Sequence, residues 1–331
     1  MKLTIGIKAL NEERRIEAAI VSALAAAAPW GGEVILADSG STDQTVQIAK
    51  RFPVRIVQLS NPADRCCGAG AQLAFQYARG DYFYLMDGDM VSVPGFIDRA
   101  INFLDANPEV AGVGGAVREM NLQSYEFQVR AASIKHETHR ASGYVDRLDG
   151  GGMYRTQAIC DVEYFADRNL LAFEEFELGA RLRKKGWKLA RIDMPAVDHF
   201  GHELPGYELL WKRVKSGYPQ AAGQIIRSAF GKSHFIKILG LRQLWYGPIV
   251  WGWWLSFGIV ALVPDWTNRI LFLFGLILAP LAGLSIRRKS LRLGLFSYVS
   301  WNVAAFQMLL GLFRKRVCPQ RPLDSHEFKH R

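Results

Sequence analysis

Leu3–Ile7 is a short β-rich run, and Glu12–Ala28 follows it with Ile16, Ile20 and Leu24 on one helical face, ended by Pro29. Glu33–Ala37 reads as a second strand, Asp38–Asp43 as a turn rich in helix-capping residues, Thr42–Phe52 as a helix and Val54–Leu59 as a third strand. Ala69–Ala78 is predicted to be helical, and Gly80–Met86 reads as a buried strand. Strands alternating with helices imply a parallel sheet with right-handed crossovers, and residues 1–90 read as a nucleotide-binding half-fold. Further on, the pattern predicts a helix at Phe96–Ala106, a strand at Val110–Val117, a helix at Tyr125–Ser142 and a flexible or tightly turned loop at Gly150–Gly152. Phe173–Lys185 reads as a helix with Phe176, Leu178 and Leu182 toward a core, Glu177 as an exposed charge and Gly186 as its stop.

Beyond residue 230 the pattern changes. Tyr246–Val263, Ile270–Ile286 and Leu293–Phe313 are almost continuously apolar, with Trp245, Trp251, Trp253, Trp254 and Trp266 among or beside them. A bilayer core needs about 20 apolar residues, with roughly 17 as the lower limit, so two or three membrane helices are expected. Tyr246–Val263, with Pro248 and three tryptophans, is the segment expected not to span. The expected organisation is therefore a catalytic domain over 1–230 (1–90 for the nucleotide, 91–230 for the acceptor), an interfacial connector over 231–245, membrane helices over 246–316 and a basic tail over 317–331.

The net charge of +10 is concentrated at Arg181–Lys188, Lys212–Lys215, Arg287–Arg292 and Arg314–Arg316. The last two clusters flank apolar segments, where basic residues face anionic headgroups, so the charge points to a membrane and not to nucleic acid. Three full spans would put the basic end outside, against that rule. Four cysteines show neither zinc spacing nor a disulfide framework, which fits a reduced compartment. The N-terminus reads as a strand and not as a signal peptide, which places the first domain in the cytoplasm at the inner membrane.

The chemistry centres on Asp87-Gly88-Asp89, which the strand Gly80–Met86 delivers at its C-terminal end, where open α/β sheets bind ligands. Two carboxylates there can hold a hard divalent cation and, through it, the phosphates of a nucleotide. The surrounding strings are Ile5-Gly6-Ile7-Lys8-Ala9-Leu10-Asn11-Glu12, then Asp38-Ser39-Gly40-Ser41-Thr42-Asp43-Gln44-Thr45, and Phe173-Glu174-Glu175-Phe176-Glu177-Leu178. With these, residues 3–230 resemble the family 2 glycosyltransferases, inverting enzymes of the GT-A fold, an α/β architecture with a mainly parallel sheet.

The resemblance implies a nucleotide-diphospho-sugar donor, with a UDP-sugar favoured, and Mn²⁺ or Mg²⁺ as cofactor. By it, Asn11 and Glu12 belong to the nucleotide turn, Asp38 accepts a hydrogen bond from the base, Asp87 meets the ribose or metal shell and Asp89 ligates the metal. Lys8 stands where members often carry Pro, which makes it a possible phosphate or base contact. Glu175 holds the place of the catalytic Asp, with Glu174 as the alternative base. Asp149, before the glycine loop, is expected at donor or acceptor hydroxyls, and His199, or His202, as a further metal ligand. The Gln-x-x-Arg-Trp string of processive synthases is not matched at Trp211–Lys215, so transfer of a single sugar is expected. With the apolar segments, a lipid or lipid-linked acceptor follows. The alternatives are a polyprenyl-phosphate monosaccharide transferase, or a non-catalytic sugar-nucleotide-binding subunit of an envelope assembly complex.

Overall fold

A computed structural model describes residues 1–120, 138–201 and 206–328. The expected helix Tyr125–Ser142 falls largely outside them, as does His202. The chain forms two compact units, one of Met1–Pro205 with Arg316–Arg331 and the other of Gly206–Lys315.

The first unit is built on a sheet of β1 (Leu3–Ala9), β2 (Glu33–Asp38), β3 (Arg55–Leu59), β4 (Tyr82–Asp87), β5 (Met90–Ser92), β6 (Val110–Glu119), β7 (Gly143–Val145), β8 (Gly152–Arg155), β9 (Lys188–His199) and β10 (Ser325–Phe328). Its order is β10-β3-β2-β1-β4-β8-β6-β9-β5, with β7 paired to β9. β3, β2, β1 and β4 are parallel, as the alternation of strands and helices requires. Beyond β4 the sheet is mixed. β8 runs antiparallel to both β4 and β6, and β5 antiparallel to β9, while β6 and β9 are parallel. The architecture is a GT-A-like mixed α/β sheet, less parallel than the expected one because antiparallel neighbours need no helical crossover.

Both faces are covered. Ile5, Ile7, Tyr84 and Met86 pack with the helices Ile16–Ala27 and Phe96–Ala106 on one face. Ile35, Val57, Phe83 and Leu85 pack with the helix Cys67–Gln76 and with Leu178 and Leu182 on the other. Gly6 permits that second layer: a Cβ there would lie 2.8 Å from Ala74 Cβ and 2.9 Å from the Phe83 ring.

Residues 317–331 are not simply a basic tail. Ser325–Phe328 pairs antiparallel with β3 and covers what would otherwise be an edge of unpaired backbone groups. Arg55 bridges Glu33 at 2.9 Å and Glu327 at 2.7 Å. Arg168 donates to the carbonyls of Arg321 (2.9 Å) and Pro322 (2.8 Å), and Asn169 and Val317 exchange hydrogen bonds. These contacts draw the chain end into the first unit.

The second unit is helical and begins at 206, not at the expected 231. Glycines explain the shift. A Cβ at Gly223 would meet the Met308 carbonyl oxygen at 2.0 Å, and one at Gly311 the Gln220 carbonyl oxygen at 2.0 Å, so the helix Ala221–Ala229 closes directly on Leu291–Phe313. Among the described residues two helices are long and apolar enough to cross a membrane, Trp266–Arg288 (mean hydropathy 2.1) and Leu291–Phe313 (1.3). Tyr246–Ala261, at 16 residues, falls below the length for a crossing. Pro280 interrupts Trp266–Arg288 and leaves the Leu276 carbonyl without its helical donor; the Trp253 indole supplies one at 2.8 Å. A cavity of about 400 Å³ opens beside Pro280, lined by Trp253, Pro280, Gly283, Arg287, Tyr298 and Trp301.

Candidate active site

Parallel pairing of β1 and β4 sets Lys8 directly beside Asp87 at the C-terminal ends of both strands. The turn that follows needs glycine. The Gly88 N–H donates to the Lys8 carbonyl at 2.9 Å, and a Cβ at Gly88 would lie 3.0 Å from Glu12 Cγ. The next turn belongs to Gly150, whose Cβ would stand 2.8 Å from Met90 Cε and 3.9 Å from Asp87 Oδ2. Asp149, just before it, therefore lies at the same end of the sheet as Asp87.

The helix Glu174–Lys184 brings the remaining carboxylates. It is entered through Phe173 in the left-handed region (φ 69°), a strained conformation for an aromatic residue and one of four non-glycine positions with positive φ among the described residues. Asn11 (φ 59°) is another. Lys8 Nζ lies 3.3 Å from Glu174 Oε1 and 3.2 Å from Asp87 Oδ1, so one ammonium joins the two sides of the site. Asp87 Oδ1 is buried and accepts no hydrogen bond, its contact with Lys8 being an ion pair. Burial opposes the charge on Lys8, but Asp87 and Glu174 outweigh it and raise the ammonium well above its ordinary value. Burial, then the Glu174 charge, pushes Glu175 up to about 8.

Asp149 is ringed by nitrogen donors: His139 Nε2 at 3.4 Å, Arg140 Nε at 3.4 Å and Arg191 at 3.6 Å. Against the burial cost, His139, Arg140 and Arg191 hold its carboxyl well below the usual carboxylate range. Asp89 Oδ2 lies 3.4 Å from His199 Nε2, while His199 Nδ1 lies 2.6 Å from Glu119 Oε2. Burial works against the imidazolium, but Asp89 and Glu119 raise His199 to about 10.

Asp38 and the Asn11-Glu12 turn are used differently from the expectation. Asp38 is fully buried, and its Oδ2 accepts from Gly40 N–H (2.8 Å), Ser41 N–H (2.8 Å) and Gln58 Nε2 (2.7 Å) while Oδ1 accepts from the Ser41 hydroxyl. With these donors and full burial, Asp38 organises the loop in this structure. Asn11 donates its N–H to Ser41 Oγ (2.9 Å) and accepts the Thr42 N–H (2.7 Å). The Glu12 N–H donates to Thr45 Oγ1 at 2.8 Å. Asp43 caps Thr45 at 3.0 Å, as a capping residue should. Residues 11–13 and 41–45 thus clamp two loops together, which shortens the expected helices to Ile16–Ala27 and Thr45–Ala49.

Glu177 is no exposed charge. It has 0% exposure, accepts from Tyr164 Oη at 2.9 Å and pairs with Arg181 one turn on at 2.8 Å. Arg181 in turn donates to the carbonyls of Val162, Tyr164 and Phe165, anchoring the helix that carries Glu174 and Glu175.

Among the described residues no three acidic, His or Cys side chains converge as a ready cation cage. Mn²⁺ or Mg²⁺ needs none, since such ions bind through one or two carboxylates plus substrate phosphates. The residues fit that mode. Asp87 presents a buried carboxylate oxygen held by an ion contact with Lys8 and by no hydrogen bond, and Asp89 faces an imidazole whose other nitrogen is held by a carboxylate, the partner metal-ligating histidines usually have. Sequence reasoning passed over Glu119; it lies beside His199 through the β6–β9 pairing, a signal only the register carries.

Residues 4–161 match the family model "Glycosyl transferase family 2". The chain carries a family 2 glycosyltransferase domain. A 140-residue stretch is 31% identical to EpsE of Bacillus subtilis and covers 40% of this chain and 48% of that protein, so the chain spans about half the length of this relative. Over 256 residues the chain is 22% identical to dolichyl N-acetyl-alpha-D-glucosaminyl phosphate 3-beta-D-2,3-diacetamido-2,3-dideoxy-beta-D-glucuronosyltransferase of Methanococcus voltae, covering 72% of this chain and 78% of that one. The fold is shared with S. aureus TarS 1-349, solved in complex with UDP-GlcNAc, at a TM-score of 0.51 and 16% identity over 94% of this chain and 92% of that one.

Proposed function

We propose that the chain is a metal-dependent, inverting glycosyltransferase that moves one sugar from a nucleotide-diphospho-sugar, a UDP-sugar by preference, to a hydroxyl of a lipid-linked saccharide at a membrane surface. One observation carries the reading: Asp87, Lys8, Glu174, Glu175 and Asp149 come from four separate segments to one end of the sheet, with Asp89 and His199 beside them. The diphosphate lies at the ends of β1 and β4, where Asp87, Asp89 and His199 would hold Mn²⁺ or Mg²⁺. A cation held there would supply Lewis-acid neutralisation of the departing diphosphate. Asn11 and Glu12, with the loop that Asp38 organises, shape the nucleotide pocket. Glu175, buried and outside the ion pair that occupies Glu174, takes the proton of the acceptor hydroxyl. Asp149, fixed as an anion, orients sugar hydroxyls.

The lipid-linked acceptor is supported by the two helices of crossing length, by the cavity beside Pro280 and by the dolichyl phosphate acceptor in the name of the Methanococcus voltae relative. In this reading the chain sits at the inner membrane with its catalytic unit on the cytoplasmic face. Purified protein with Mn²⁺ and a panel of nucleotide sugars, with and without membrane lipid extract, should release nucleoside diphosphate from one donor, and faster with lipid. Absence of release from every donor in both conditions rejects the enzyme.

A further inference from the structure

Lys8 touches both sides of the site, and it does so from a constrained place. Its Cβ stands 3.5 Å from where a Cβ of Gly70 would lie, so the helix Cys67–Gln76 packs on the stem, and the side chain is 15% exposed. Its ammonium ends between Asp87, from β4, and Glu174, from a helix about ninety positions later in the chain. Among the described residues Glu175 forms no ion pair, although it adjoins Glu174. Two adjacent carboxylates in one buried pocket cannot both ionise without a cation.

We propose that Lys8 is a positioning residue that gives the two glutamates different tasks: by bridging Glu174 to Asp87 it engages Glu174 in an ion pair and leaves Glu175 as the carboxyl that exchanges a proton. This rests on the reading of Glu175 as the base. The groups facing Glu175 are Lys8 from β1, Cys67 from the helix Cys67–Gln76, Asp149 from the glycine loop, Tyr154 from β8 and Glu174 on its own helix. Lys8 is the cation among them that lowers the proton affinity of Glu175, the others being anionic or neutral. The same bridge ties the donor side to the helix bearing the base, so the acceptor side is set by the strand that meets the diphosphate.

The test does not depend on turnover. The protonation of Glu175 is followed by difference infrared spectroscopy, with E175Q subtracted, in wild type, K8M and K8R. K8M should raise the Glu175 midpoint by about a unit or more, whereas K8R, whose guanidinium spans the same two carboxylates, should leave it near wild type. In turnover, K8M should lose about 10²-fold in kcat with a smaller change in the KM for donor, and K8R should recover most of it. Thermal melting reports whether K8M is folded; if it is not, K8Q, which keeps a polar end but no charge, takes its place and should raise the midpoint in the same way. A midpoint unmoved in the folded variant, or a loss confined to donor KM, overturns the proposal and makes Lys8 a diphosphate contact only. A shifted midpoint in a protein that releases no nucleotide from any donor upholds the bridge and rejects the enzyme reading instead.

Discussion

Burial and the Glu174 charge hold the Glu175 carboxyl protonated up to about pH 8, whereas a general base acts only when ionised. The sign follows directly: kcat/KM should climb as pH rises through about 8 and level off above it, measured as a pH–rate profile of the free enzyme and donor. E175Q, of the same shape and unable to take a proton, should lose about 10²–10⁴-fold in kcat while melting as wild type does. E174Q should instead perturb Lys8 and Asp87, and its loss should be divided between kcat and KM. At the neighbouring Glu177 the prediction concerns stability. Truncation to Ala leaves the Arg181 guanidinium buried without its carboxylate, at a cost of about 3–5 kcal/mol read from denaturant midpoints, with E177Q milder because it keeps an acceptor for Tyr164. The acidic set at 174, 175 and 177 was legible as a set, but its division of labour was not. Exposure is decided by what packs on the helix: Tyr164 and Arg181 engage Glu177, and periodicity alone does not reveal so buried a charge. Asp38 shows the same limit, since a matching string cannot say whether its carboxylate faces a ligand or its own loop.

At the scale of elements, local pattern located the strands β1 to β4, the helix Phe96–Ala106 and the helix Glu174–Lys184 within a few residues, because their alternation and capping residues are contiguous in sequence. Partners distant in sequence stayed hidden. β10 carries Ser325-His326-Glu327-Phe328, too short and polar a run to announce a strand, and it becomes one only because β3 offers an open edge 270 positions earlier. Its worth is measurable. Truncation after Leu323 should lower the melting temperature by about 2–4 °C for each kcal/mol lost and promote self-association through β3, whereas removal of residues 329–331 alone should do neither. A truncated protein that melts and sediments as wild type does would mean that the strand contributes nothing to the edge it covers.

For the whole molecule, the same strand constrains the membrane arrangement. The chain leaves the first unit before Gly206 and rejoins it at Arg316, and β10 lies in the same sheet as β1. If the second unit enters a bilayer as proposed, the sheet stays on one side of it, so the number of crossings between those points should be even and three full spans should not occur, whatever the count of basic residues. The two helices of sufficient length, each of 23 residues, satisfy this as a hairpin turning at Lys289 (φ 53°). At 1.5 Å per residue each is about 34 Å long, enough for a hydrocarbon core of about 30 Å. The turn then carries Arg287, Arg288, Lys289 and Arg292 to the far side, against the usual preference of such residues, so length and charge disagree and the geometry of β10 decides only the parity. Cysteine labelling in sealed inverted vesicles separates them. Cys160 and Cys318, both exposed, should react with an impermeant maleimide from the same face, and K289C, made in a background lacking native cysteines, should react only after the membrane is opened. Cys318 on the opposite face from Cys160 would overturn the parity argument and with it the pairing of β10. K289C reacting beside Cys160 would keep the parity at zero crossings and lay both helices along the membrane surface, leaving the catalytic unit on its own side in either case.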